Sequence, residues 1–390
     1  MRRRGAPGRE ANGRCLPAGA VSFLTTFPEE VYPTQLATGG IAAVSFAAAD
    51  AQACMWLAQL AYEVSSASVP TARLGKAVRL GKAGRILERW GLAPLAWLSR
   101  GGIEGFVADA PSCLVVSFAG TDPVVAANWV TDFDIRIGLE GLHRGFADAI
   151  DVVWEELVAA VARSRKPIVI VGHSLGGALA VIAAWRLGGG GPTAPCIARV
   201  VTFGSPRAGN EAFAASYRQR GLWDRTLRLH HGSDIVPFVP PATAGALAYR
   251  HVGSVLRCRR GAPFDFAQPP TDVSDGPMTL SDLAAVFAQS DLATIREWRL
   301  AWSRLTAERP GIFPAGGAAS VLVDTLPFFL RDHLQDCYLE ALGWAFDEPA
   351  SVRMIGSTDE LGMFLRGVRD RIDVRFASVA GMMHRWLGGG

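Results

Sequence analysis

The chain has 390 residues, 49% of them hydrophobic and 19% charged. That is enough apolar material for a large core and too little charge for a disordered chain. Its net charge of +3 makes no electrostatic case for nucleic acid as a partner. The six cysteines, Cys15, Cys54, Cys113, Cys196, Cys258 and Cys337, form no CxxC pair, which argues against a zinc site or a dithiol redox centre. Lysine occurs only at Lys76, Lys82 and Lys166. With so much Ala and Gly, that reads as a GC-rich bacterial coding bias.

Residues 1–45 read as an irregular leader rich in Gly, Pro and Ala. The leader begins basic, but its apolar run VSFLTTF is too short for a signal-peptide core. Val31–Ala49 is uncharged, yet Pro33, Gln35 and two glycines leave it too weakly apolar for a membrane span. A soluble protein is expected, cytoplasmic in preference to exported. Phe46–Tyr62 has the apolar spacing of a helix with one buried face. Arg73, Lys76, Arg79, Lys82 and Arg85 form a basic stripe over a small repeat. Between a solvated helix face and a lipid-surface contact, the solvated face is the expectation.

From Cys113 the pattern alternates. Strands are expected at Cys113–Phe118, Ile168–Val171, Ala198–Phe203 and Thr226–His230. Helices are expected at Phe146–Arg163, Leu175–Leu187 and Asn210–Arg220. Short apolar strands alternating with helices predict an α/β fold, a mostly parallel sheet covered on both faces. Residues 259–320 break the rhythm and read as an insertion with helices near Leu280–Ala288 and Ala293–Leu305.

Gly172-His173-Ser174-Leu175-Gly176 fits G-x-S-x-G, with a strand before it and a helix after it. Such a turn projects the serine hydroxyl outward, and glycines two residues either side remove the clashes. The serine also stands at a helix N-terminus, which favours developing negative charge. A serine needs a base, normally His, and an acid to orient it. The expected chain order is Ser, acid, His. Asp234 follows a predicted strand, at the end where sites form in open α/β sheets. Asp224 precedes that strand and belongs to the wrong end. His251 and His333 compete for the base. His333 opens a predicted helix after a Pro-containing loop, whereas His143, His230, His231 and His384 fit the order less well. The side chain of His173 is expected to leave the turn on the other side from Ser174.

These stretches together resemble the fungal-type (class 3) lipase family of α/β-hydrolases. The likeness rests on Phe118-Ala119-Gly120-Thr121, Asn128-Trp129-Val130-Thr131-Asp132, His143-Arg144-Gly145-Phe146 and GHSLGG. It continues through Thr202–Asn210, Ser233–Pro237 and Tyr249-Arg250-His251. The resemblance implies an α/β-hydrolase domain over 46–345 with a C-terminal extension at 346–390. By the same likeness Asp234 is the triad acid, and a later histidine, His333, is the base in preference to His251. The backbone N–H groups of Thr121 and Leu175 form the oxyanion hole. Asp122–Asn128 stands where the family has its lid. The family usually has a larger or basic residue where Ala119 stands. The implied activity is lipid ester hydrolysis through Ser174, Asp234 and His333, without metal or cofactor. A phospholipase or a short-chain esterase on the same scaffold is the nearest alternative. A non-catalytic binding module of hydrolase fold is a remote one.

Overall fold

The computed structural model describes residues 27, 29–64, 81–120, 136–189, 194–232, 234, 236–240, 242, 248–271 and 331–346. Thr121, the 122–128 stretch, most of the basic stripe, the two expected helices of the insertion and the C-terminal extension beyond 346 lie outside the described residues.

Seven strands form one sheet: β1 Ala93–Arg100, β2 Ile103–Asp109, β3 Leu114–Phe118, β4 Ile168–His173, β5 Ile197–Phe203, β7 Thr226–His231 and β9 Ser254–Cys258. They lie side by side in that order. The first three pair antiparallel and the last five parallel, so β3 belongs to both runs. Gly209–Asn210 (β6) and Tyr249–Arg250 (β8) make a small separate ladder.

The strands are apolar on both sides because both faces are covered. Val115, Val169, Val171 and Val201 point into one core, and Val116, Ile168, Ile170 and Val200 into the other. The first core packs helices α1 (Ala48–Ala61), α2 (Lys82–Arg89) and α7 (Gln335–Ala341). The second packs α3 (Arg144–Asp151), α4 (Trp154–Val161), α5 (Leu175–Leu187) and α6 (Glu211–Gln219). This is a mostly parallel central sheet flanked by helices on both faces, as the alternation of strands and helices predicts.

Several local expectations change. Phe146–Arg163 is two helices, not one. The break falls at Val152–Val153, where Val153 leaves helical geometry with φ −115° and ψ 6°. Beyond it the chain turns from α5 toward β1 and β2. The β1–β2 hairpin was not anticipated. Its signal was Gly101-Gly102 between apolar runs, both at positive φ (60° and 79°), which suits a two-residue hairpin. The later part of the expected leader is packed structure: Phe27, Val31, Tyr32 and Ile41 belong to the first core. Glu63 holds this segment by accepting from the Phe27 N–H at 2.8 Å and the Tyr32 hydroxyl at 2.7 Å.

Candidate active site

The turn after β4 is built from backbone interlock. Ser174 has φ 57° and ψ −130°, a conformation that costs a non-glycine residue about 1–3 kcal/mol. Its N–H donates to the Phe203 carbonyl at 2.9 Å, and its own carbonyl accepts from Gly177 N–H at 2.9 Å. A Cβ on Gly172 would collide with the Gly176 carbonyl, and one on Gly176 with the Phe118 carbonyl. The two glycines of the motif are therefore where the turn crosses itself and meets β3. Gly120 passes so close that a Cβ there would lie 2.7 Å from that of Ser174. Leu175 is the first residue of α5 and is buried. Its N–H is among the helix-start donors that have no partner within the helix.

Asp234 lies three residues beyond β7, fully buried. His333 Nδ1 is 2.9 Å from both carboxylate oxygens, across 99 residues of sequence. The Val236 N–H and the Tyr338 hydroxyl also donate to that carboxylate, at 2.9 Å and 2.7 Å. Burial alone would raise its pKa, but the electrostatic pull of His333, the His333 hydrogen bond, His230 and the Tyr338 hydroxyl outweigh it and hold the acid down to about 2. Asp234 is therefore a carboxylate and only accepts. His333 must then present an N–H at Nδ1, and in the neutral imidazole that tautomer has its lone pair on Nε2. That Nε2 is buried and has no hydrogen-bond partner among the described residues. Gly204, at φ 56°, admits this pair: a Cβ there would sit 2.5 Å from Asp234 Oδ2 and 2.9 Å from His333 Nδ1.

The His173 ring stacks on His333, centroids 4.7 Å apart and 32° between planes. The acid–base pair is thus packed against the residue that precedes Ser174 in the chain. Burial and the neighbouring His333 push the His173 pKa down to about 3, so it is neutral.

His251 is elsewhere. Its Nε2 lies 2.6 Å from the Pro237 carbonyl, and burial beside Arg228 and Arg207 pushes its pKa well down. His143 caps α3 by accepting from Phe146 N–H at 3.2 Å. Asp224 precedes β7, at the opposite end from Asp234. His333 stands two residues ahead of α7, not at its first turn. Tyr338 escaped the sequence reading. Its only signal was its place one helical turn beyond Leu334, on the helix that follows His333.

Among the described residues one mixed cluster has metal-ligating side chains. His231, Asp332 and Cys337 are buried, with ligand atoms within 4.8 Å of one another. Their donors are engaged otherwise. His231 Nδ1 lies 3.1 Å from the Asp332 carbonyl oxygen, Arg260 pairs with the Asp332 carboxylate at 3.1 Å, and Arg331 contacts Cys337 Sγ at 2.8 Å. Guanidinium groups thus fill the cation's role there.

Residues 115–244 match the family described as Lipase (class 3). Over that span, a third of its length, the chain is similar to that family. Ser174 and Asp234 fall inside the matched segment and His333 outside it. A secreted mono- and diacylglycerol lipase of Fusarium solani is 37% identical over 164 residues, 38% of this chain and 46% of that protein. A lipase of Rhizomucor miehei is 32% identical over 153 residues, 36% of this chain and 40% of that protein. The chain thus matches less than half the length of these relatives. A solved lipase from Rhizopus microsporus var. chinensis is 22% identical, covering 68% of this chain and 88% of that one, with a TM-score of 0.43. The relatives named here are fungal, so they lend no support to a bacterial reading of the composition.

Proposed function

We propose that the protein is a serine hydrolase that cleaves carboxylic esters of lipids, with acylglycerols as the substrate class. The observation that carries this is His333 gripped by the buried Asp234 carboxylate, its Nε2 without a hydrogen-bond partner among the described residues and its ring stacked on His173, the residue before the strained Ser174. In this scheme Ser174 Oγ attacks the ester carbonyl and His333 Nε2 takes its proton. The backbone N–H groups of Leu175 and Thr121 donate to the resulting oxyanion, each worth on the order of 3 kcal/mol in the barrier. Collapse breaks the ester C–O bond, and the proton passes from His333 to the leaving alcohol. Water, deprotonated by the same nitrogen, then frees the acid from Ser174. Asp234 keeps the imidazole in the Nδ1–H tautomer and stabilises its charged form. The scheme draws on side chains and backbone amides alone.

The acylglycerol reading is supported by the names of the matched relatives and by the sequence of the lid-position stretch, DPVVAAN. An apolar lid there would meet a lipid surface transiently. Among the described residues no helix is long and apolar enough to cross a membrane. The Fusarium relative is named as secreted, which supports export over the cytoplasmic expectation.

Stoichiometric labelling by a fluorophosphonate, absent in Ser174→Ala, tests the nucleophile. An inert unaltered chain would leave the binding-module reading instead. Rates on p-nitrophenyl esters of rising chain length, dissolved and emulsified, test the substrate class. A preference for dissolved short esters would favour the esterase alternative.

A further inference from the structure

Two buried histidines that take no part in the proposed chemistry end on consecutive peptides of the same short stretch. His173, the last residue of β4, places Nε2 2.8 Å from the carbonyl oxygen of His333. His231, the last residue of β7, places Nδ1 3.1 Å from the carbonyl oxygen of Asp332. A carbonyl only accepts, so each ring must carry its proton on the nitrogen that faces it. That leaves His173 Nδ1 as a lone pair, and the Tyr62 hydroxyl donates to it at 2.8 Å. Tyr62 thereby fixes which nitrogen of His173 holds the proton.

The stretch needs such support. His333 lies in a turn ahead of α7, outside any regular element. The strand ends on either side are rigid and buried, with His173 and His231 at 0% and 4% exposure. Displacing a reacting group by about 1 Å can cost on the order of 100-fold in rate.

Resting on the proposed role of His333 as base, we infer that His173 and His231 are positioning residues that clamp its peptide from two strands of the sheet. They touch no substrate. They set where Nε2 of His333 stands relative to Ser174.

The clamp makes a crossed prediction. The amide nitrogen of Gln reaches about as far as an imidazole Nε2, and that of Asn about as far as Nδ1. His173→Gln and His231→Asn keep the required donor, whereas His173→Asn and His231→Gln lose it. On a dissolved p-nitrophenyl ester, the first two should hold kcat within about 5-fold, and the other two should fall about 100-fold with KM unchanged. Thermal unfolding of all four separates positioning from simple damage. Unaltered kcat in His173→Asn, or losses that track the melting temperature in every variant, would overturn the clamp. His333→Ala, measured beside them, keeps the two readings apart. If it is inactive and the crossed pattern is missing, only the clamp falls; if it stays active, the base is misassigned and the clamp falls with it. Nitrogen-15 spectra of the unaltered protein should find His173 as the Nε2–H tautomer and His231 as Nδ1–H. The opposite tautomer in either ring would also overturn the inference.

Discussion

The two halves of the candidate site are held by different forces. The serine turn is a steric object. Its motif glycines, Gly172 and Gly176, face backbone atoms, and its anchor is the Phe203 carbonyl. The acid–base half is an electrostatic object. It gathers side chains from the end of β7, from α7 and from the turn before α7, around one buried carboxylate. A steric device tolerates changes of pH but not of volume. A buried charge network tolerates small changes of volume but not of protonation or partner. Each perturbation should therefore damage one half more than the other.

The largest expected effect is on rate. Ser174→Ala and His333→Ala should each lower kcat by roughly 10⁴- to 10⁶-fold while the protein stays folded, since the members of such a unit act together. His251→Ala should lose less than tenfold, because its imidazole is spent on the Pro237 carbonyl. Steady-state kinetics on one soluble ester rank the three, and a greater loss in His251→Ala would reverse the assignment of the base.

Glycine substitutions set the halves against each other directly. A Cβ at Gly172 meets backbone that has nowhere to go. Gly172→Ala should cost more than about 4 kcal/mol, the range of exceptional substitutions. At Gly204 the obstacles are the side chains of Asp234 and His333, which can retreat. Gly204→Ala should cost roughly 2–3 kcal/mol, including the positive φ, and should lower activity in whatever remains folded. Urea unfolding gives both numbers. Equal costs would mean that the two halves are not built differently.

Tyr338→Phe probes the charged half with little change of volume. The hydroxyl donates to Asp234 and accepts from the His231 N–H at 3.2 Å. Losing a hydrogen bond to a charged group should cost about 1.5–3 kcal/mol. It should also raise the Asp234 pKa, because a donor to the ionised form is gone. Wild-type stability in this variant would show that His333 and the Val236 N–H hold the carboxylate without Tyr338.

The same division decides what the sequence could reveal. The serine turn was legible because its signal is local: an apolar strand, two glycines and a helix within Ile168–Leu187. The parallel sheet followed from the same short-range periodicity. Asp234 could be placed by its position after β7. Its pairing with His333 across 99 residues came from the family resemblance, since no spacing rule joins them. Tyr62, Tyr338, His173 and His231 were out of reach, because their roles depend on which way a ring turns where a strand or helix ends. The β1–β2 hairpin was missed for a milder reason. Pro94 and the mixed polarity of Ala93–Arg100 hide its strand pattern, and the burial there is partial.

The smallest effect per group is that of protons, and it should appear first on mild acidification. Burial holds His173 and His230 down to about 3 and about 4 in the folded protein, against an ordinary imidazole value of 6.5. Once unfolded, both rings take up a proton near 6.5. Between the two values the unfolded chain binds more protons, so stability falls as pH falls, by about 1.4 kcal/mol per pH unit for each ring. Asp234 acts later with the same sign. Its contribution is present above the ordinary carboxylate value and is lost as pH drops toward about 2. The glycines and Ser174 of the turn do not titrate and contribute no such slope; within that turn His173 alone does. His230 isolates one proton, because its Nε2 donates to the Asp234 carbonyl at 3.0 Å and a glutamine can keep that bond. His230→Gln should flatten the dependence of the unfolding free energy on pH by about 1.4 kcal/mol per unit between pH 6 and 4.5. An unchanged slope would mean that His230 titrates alike folded and unfolded, and that the charged half is less buried in its effects than its geometry requires.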